Sequence, residues 1–317
     1  MRFVCPDGEP QYRELLDAEQ LAQLSTEEHE LEWFDGAPAT QELWIERLNG
    51  AEGVLLLWEL PGGVLRACPT IDAVSFVGTG VESYVDMDEA RACGVAVCNV
   101  PVYGANGVAE HALALALAVA RDVAAGDASV RRGEWGQARG LELSGRRLGV
   151  VGAGLIGARM VELGRALRMD VVCWTRTRSA ERERELGAPL VELDELFSTS
   201  HVVSIHIAHR PETEGLVDAR LLGLMRPDAI LVNTARGAIV DERALAAVLE
   251  DGRIFGAGLD VFSREPPPPD HPLLGCPRTV LTPHLGFFTV ESSATLLRTA
   301  LGNLLAFARG EPQNVRP

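Results

Sequence analysis

Residues 148–157 read LGVVGAGLIG, a short buried-strand pattern that runs straight into Gly-x-Gly-x-x-Gly at Gly152, Gly154 and Gly157. Gly152 permits a tight bend, and Gly154 lets the main chain approach a pyrophosphate. Gly157 lets the following helix pack on its strand with its amide-rich N-terminus facing the phosphates. The flanks agree: Ile156, Met160, Gly164 and Leu167 share one helical face, and a second buried-strand pattern, DVVCW, occupies 170–174. Strand, turn, helix and strand in that order commit this part of the chain to a parallel α/β layer shaped for a dinucleotide.

The same rhythm extends in both directions. Strand-like runs fall at 53–58, 73–77, 95–99, 148–151, 171–174, 202–207, 230–233, 255–260 and 279–282, most of them separated by helical patterns. In the stretch 108–121, Leu113, Leu115 and Leu117 alternate with period two, but its alanine content and length predict a buried helix. PPPP at 266–269 predicts a rigid surface loop. A chain of 317 residues can bury two cores, and a dinucleotide turn at mid-chain leaves a second domain to form ahead of it. The expected fold is α/β with two doubly wound, parallel-sheet (Rossmann-like) domains. A dinucleotide-binding domain would span 102–289, and a discontinuous substrate domain would combine 1–101 with 290–317. Helices near Val108 and Glu291 would serve as hinges, with an active site in the cleft from which closure excludes water.

Charge narrows the partners. A net charge of −16 and a pI near 4.9 argue against nucleic acid or an acidic membrane surface. The sequence contains no Lys, which excludes Schiff-base chemistry and a P-loop lysine. Cys5, Cys68, Cys93, Cys98, Cys173 and Cys276 show no CxxC spacing and follow no secretory leader, so reduced thiols in a cytoplasmic protein are expected. No apolar run reaches transmembrane length, and the HxxH of His206 and His209 has no third ligand nearby, so no metal is expected.

Three downstream contexts carry the chemistry: Arg236 in NTARGAIVDE, Glu265 in GLDVFSREP and His284 in TPHLG. Each follows a strand-like run, where an open parallel sheet places its ligand-binding loops. An arginine fork can hold a carboxylate or carbonyl oxygen and stabilise charge that grows there. A histidine beside a carboxylate can deliver a proton, because the negative charge favours the protonated imidazole and fixes its orientation.

With the glycine turn, this ordered set closely resembles the D-isomer-specific 2-hydroxyacid dehydrogenase family. VGTGVESYVD at 77–86, VAEHALAL from Val108, RPETEGLVD from Arg210 and the terminal GEPQNV extend the likeness over nearly the whole chain. The resemblance implies a D-specific oxidoreductase moving hydride between a nicotinamide cofactor and a small 2-oxo or 2-hydroxy acid, with Arg236, Glu265 and His284 catalytic. It also implies Thr79 near substrate and nicotinamide, and Leu155 and Ile156 at the pyrophosphate. Ile207 would lie at the ribose, Thr234 and Ala235 on the nicotinamide side, Asp260 at the carboxamide, and Gly286 in the cofactor site. One departure is Ala208, where the family commonly has proline two residues after the position of His206, which removes a restraint on φ.

Cofactor choice turns on the end of the second strand. NAD enzymes of this type usually place Asp or Glu there; this chain has Thr175, Arg176, Thr177 and Arg178. Two arginines and two hydroxyls suit a 2′-phosphate, so NADP(H) is favoured, with NAD(H) as the alternative. Phosphoglycerate dehydrogenases of the family carry arginines at positions matching Trp58 and Phe76, which argues for an unphosphorylated acid such as glyoxylate, hydroxypyruvate or a branched analogue. Trp58, Phe76, Gly78, Thr79, Gly80, Arg236 and Phe287 are the expected substrate contacts, and Phe288 could add aromatic wall. The segment 122–143, with its Trp135, is expected to wrap a second copy, as the family forms homodimers. Two alternatives remain on the same fold: a corepressor-like NAD(H)-binding module, and a formate- or phosphite-type dehydrogenase.

Overall fold

The computed structural model describes residues 1–316, which divide into two compact units. The first unit runs from Met1 to Tyr103 and is rejoined by the chain from Thr289; the second is Gly104–Phe288. Among the described residues no helix is long and apolar enough to cross a membrane.

The first unit is built on a five-stranded parallel sheet of β1 (Arg2–Gly8), β2 (Glu30–Asp35), β3 (Gly53–Leu56), β4 (Ala73–Phe76) and β5 (Ala96–Cys98), in the order β2-β1-β3-β4-β5. Neither β1 nor β2 is among the predicted strands. Pro6 interrupts the apolar run of β1, and its pairing register shifts between Cys5 and Gly8. β2 is an edge strand with Glu30, Glu32 and Asp35 exposed, a charge pattern that blunts the edge and hides the strand from a hydrophobic scan. The strand order reverses between β1 and β3. There the fully buried Asp7 accepts from the amides of Leu57 (3.1 Å) and Trp58 (2.7 Å) and ties the two loop mouths together. Burial pushes the Asp7 carboxyl up to about 6, against the pull of those two amides. The long helix Val290–Ala308 brings the C-terminal segment back to this unit. It buries Leu296, Leu297, Ala300, Leu301 and Leu304, and Asn303 donates to the Asn99 carbonyl at 3.0 Å.

The second unit holds β6 (Arg147–Val151), β7 (Asp170–Trp174), β8 (Val202–Ile205), β9 (Ile230–Asn233), β10 (Gly256–Leu259) and β11 (Thr279–Leu281), ordered β11-β10-β9-β8-β6-β7 and all parallel. Alternation sorts their side chains onto two faces. Val151, Val203, Ile205 and Leu231 join Leu196, Phe197 and Leu221 in one core, while Leu148, Val150, Ile230 and Val232 join Leu115 and Met160 in the other. The helix predicted at 108–121 is Ala105–Ala120, with Val108, Ala109, Ala112, Leu115, Ala116 and Val119 buried. The nine predicted strands are all present, as β3 to β11, and the architecture is the expected pair of doubly wound parallel sheets.

Candidate active site

The glycine turn sits where the second sheet reverses direction, between β6 and β8. Gly152 has φ +100°, and a Cβ there would lie 2.6 Å from the His206 carbonyl oxygen, in the loop after β8. A Cβ on Gly157 would lie 1.8 Å from the Gly152 carbonyl oxygen, so the helix Leu155–Ala166 can approach its strand only with glycine there. A Cβ on Gly154, by contrast, would meet nothing within 4 Å, and no side chain caps the helix that begins after it. Two glycines close the turn and the middle one opens onto free space beside uncapped amides, which is the cradle a pyrophosphate needs. Leu155 (62% exposed) and the half-buried Ile156 line its rim, and the Cγ2 of Ile207 closes the side towards β8.

At the end of β7, Thr175 is half-buried and Arg176 is exposed without a hydrogen bond or ion pair among the described residues. Arg178 differs from expectation. Its guanidinium grips Glu192 through both nitrogens, at 2.5 and 2.7 Å, so its fork is already occupied by a carboxylate. The partner lies fourteen residues on, beyond the reach of any local pattern. His206, in the HxxH, bonds the Ser204 hydroxyl at 2.8 Å, and desolvation lowers its pKa to about 4.

The loop after β9 is shaped by a residue the sequence did not single out. Buried Asn233 accepts from the Ala235 amide (3.0 Å) and donates to the Arg236 carbonyl (2.9 Å), folding the 234–236 turn around its own side chain. The Thr234 hydroxyl is buried with no hydrogen-bond partner among the described residues, an orphan that a bound ligand would satisfy. Arg236 is exposed and extended, its Nη1 bonding the Ala235 carbonyl at 2.6 Å. Next to it Gly237 meets the loop after β10 main chain to main chain: a Cβ would lie 2.0 Å from the Phe262 carbonyl carbon.

That contact brings Arg236 to the Glu265 loop. The Glu265 carboxylate accepts from the Phe262 amide at 2.9 Å and lies 2.7 Å from His284 Nδ1. Burial would raise its carboxyl pKa, but the His284 hydrogen bond, the Phe262 amide and the nearby charges of His284 and Arg236 hold it below the ordinary carboxylate value. Nδ1 is thus engaged by the carboxylate, and both side chains are about a third exposed. The Phe287 and His284 rings stand nearly perpendicular with centroids 5.8 Å apart, and Phe288 is 42% exposed.

His284 itself has φ +54°, a left-handed conformation unusual for a side chain larger than glycine. Asp260 holds it there. Its carbonyl accepts from the His284 amide (2.8 Å), and its carboxylate accepts from Leu285 N (2.8 Å), Gly286 N (2.8 Å) and the Thr282 hydroxyl (2.5 Å), with His111 Nε2 at 3.2 Å. Burial works against this charge, yet those donors outweigh it and keep the carboxyl below its ordinary value. Asp260 is engaged first by the loop that carries His284. Both oxygens already accept from the protein and the residue is 1% exposed, so it anchors the histidine loop from beneath. Gly286 belongs to that anchored loop through its amide.

In the first unit, Trp58 is 40% exposed on the loop held by Asp7, and Thr79 donates its hydroxyl to the Val100 carbonyl at 2.8 Å, which steadies the Gly78–Thr79–Gly80 turn. Phe76 departs from its expected substrate contact: it is 5% exposed, packed in the core and stacked on Tyr84 with ring centroids 4.8 Å apart.

Comparison with known proteins follows the same lines. The family model for the D-isomer specific 2-hydroxyacid dehydrogenase, NAD binding domain, matches residues 113–286. The glyoxylate reductase of Korarchaeum cryptofilum (strain OPF8) is 37% identical over 300 residues, covering 91% of this chain and 90% of that one. Among solved structures, the TT0316 protein from Thermus thermophilus is similar with a TM-score of 0.87 at 35% identity. An acyclic imino acid reductase (Bsp5) in complex with NADPH and D-Arg has a TM-score of 0.84 at 28% identity, and each likeness covers 100% of both chains.

Proposed function

The chain belongs to the D-isomer-specific 2-hydroxyacid dehydrogenase family and is a D-specific, nicotinamide-linked oxidoreductase of 2-hydroxy acids; we propose that it reduces a short, unphosphorylated 2-oxo acid, with NADPH as preferred donor. The observation that carries the catalytic reading is the 2.7 Å pair between His284 Nδ1 and Glu265, with the charge of Arg236 acting on the same carboxylate. The bound nicotinamide supplies the hydride. Arg236 holds the substrate carboxylate and stabilises charge growing on the carbonyl oxygen. His284 delivers a proton to that oxygen from Nε2 while Glu265 keeps the ring in place through Nδ1. In the reverse direction the same nitrogen takes the hydroxyl proton.

Glyoxylate, hydroxypyruvate and branched analogues are the substrates this reading favours. Neither Trp58 nor Phe76 offers the positive charge that a phosphorylated acid would need, and a relative 37% identical is named glyoxylate reductase. NAD(P)H consumption against a panel of 2-oxo acids tests it: turnover on these compounds is expected. Inactivity on every 2-oxo acid would favour the corepressor-like or formate- and phosphite-type readings.

The cofactor preference rests on Thr175, which removes the carboxylate that would repel a 2′-phosphate, and on the free Arg176. A charged hydrogen bond contributes about 1.5–3 kcal/mol, less where exposed, so a preference for NADPH of about tenfold is expected. Thr175→Asp with Arg176→Gln should reverse the order in steady-state kinetics. Equal use of NADH by the wild type would refute the preference.

We also propose a homodimer formed through 122–143. Helix Val123–Arg131 buries none of its residues, Val123 and Val130 are more than half exposed, and Trp135 is 82% exposed, an apolar surface that a second copy would cover. Light scattering at micromolar concentration should give twice the 34.1 kDa chain mass; a monomer mass would refute the assignment.

A further inference from the structure

One side chain touches the dinucleotide turn and has no part in the reading above. Arg182, on the short helix Ala180–Leu186, donates Nη2 to the carbonyl of Ala153, the residue between the first two glycines of the turn. Its Nη1 pairs with Glu185 at 2.7 Å, three residues on along the same exposed helix. The end of β7 lies against the same turn, because the Gly152 amide donates to the Trp174 carbonyl at 2.8 Å. The charge of Arg182 also reaches inward along that strand. Burial pushes the Cys173 thiol up to about 12, and the Arg182 guanidinium acts against that rise.

The arginines after β7 therefore differ in what they can offer a ligand. Arg178 is engaged at both nitrogens by Glu192, Arg176 is free, and Arg182 is already stationed on the turn. Its carbonyl partner is neutral, so that hydrogen bond positions the guanidinium without cancelling its charge. The pairs of Arg182 with Glu185 and of Arg178 with Glu192 are both exposed, and such pairs contribute only about 0–1 kcal/mol, but Arg182 gives up a single bond to Glu185 where Arg178 would give up two, so a phosphate dianion exchanges with Glu185 at the lower cost. A guanidinium carries five donors and retains spare ones after bonding Ala153.

We propose that Arg182, together with Arg176 and in place of Arg178, distinguishes a 2′-phosphate from a 2′-hydroxyl on the adenosine ribose. This assignment rests on the NADPH reading and names the residue that enforces it. The phosphate replaces Glu185 as the anionic partner, and the Ala153 bond keeps the guanidinium at the ribose end of the turn.

Binding measured without turnover tests it. Titration calorimetry of wild type, Arg182→Gln, Arg182→Lys and Arg178→Gln would use NADPH, NADH and the fragments 2′,5′-ADP and 5′-AMP. Arg182→Gln should weaken NADPH and 2′,5′-ADP by about tenfold while leaving NADH and 5′-AMP within about twofold. Arg182→Lys should recover part of the loss because it restores the charge without the fork. Arg178→Gln should leave all four ligands unchanged. An equal loss for NADPH and NADH in Arg182→Gln would mean that the side chain only braces the turn, and would overturn the assignment. A wild-type preference for NADPH that survives Arg182→Gln would overturn it alone. Equal wild-type affinities for NADPH and NADH would overturn both it and the cofactor reading beneath it.

Discussion

Replacing His284 with alanine should lower turnover by about a hundred- to ten-thousand-fold, the range a positioned general acid contributes, while leaving cofactor affinity near that of the wild type. The split follows from geometry. His284 meets Glu265 and Phe287, whereas the cradle for the dinucleotide is made by the glycine turn after β6. Arg236→Ala should raise KM as well as lower turnover, since the same fork is assigned to the substrate in both ground and transition states. Glu265→Gln keeps the volume and removes the charge, so it should cost turnover with little change in KM. The pH dependence has a definite sign. Because its carboxyl is held below the ordinary carboxylate value, Glu265 stays ionised through the neutral range. Its support of His284 is lost only as pH falls through that depressed value. Turnover of His284→Ala within a few-fold of wild type would sink the assignment of the proton donor.

Gly237→Ala should be nearly as damaging, although it adds one methyl group and touches no catalytic atom. The new Cβ would sit 2.0 Å from the Phe262 carbonyl carbon and 2.1 Å from the Ser263 amide nitrogen, both main-chain atoms that cannot rotate away. The loops after β9 and β10 must separate by about an ångström, and a displacement of that size can cost on the order of a hundredfold in rate. Overpacking of this kind also costs about 1–3 kcal/mol of stability. Paired measurements of kcat/KM and of the urea midpoint would therefore show an activity loss larger than the stability loss explains. An Ala variant with wild-type kcat/KM would show that the loop contact does not hold Arg236 and Glu265 in register.

What could be read from the sequence is what neighbouring residues encode. The glycine triplet marks its own turn because Gly152 takes a positive φ and Gly157 packs against the Gly152 carbonyl, both within the same few residues. Nine strands were legible because buried parallel strands are continuous apolar runs. Arg236, Glu265 and His284 could be grouped because each follows a strand, and a parallel sheet delivers the ends of its strands to one edge. β1 and β2 escaped because Pro6 and the exposed acids of an edge strand erase that signal.

The partners of long or buried polar side chains were decided by the tertiary structure alone. Glu192 captures Arg178, Asp260 is taken up by the histidine loop and His111, Asn233 folds the arginine turn, Phe76 turns into the core, and Arg182 reaches the glycine turn. A strand or a tight turn is determined by local sterics and by which face is buried, so its signal survives in one dimension. The destination of a guanidinium or carboxylate depends on which distant donor or acceptor the packed chain brings within about 3 Å, and no local pattern carries that distance.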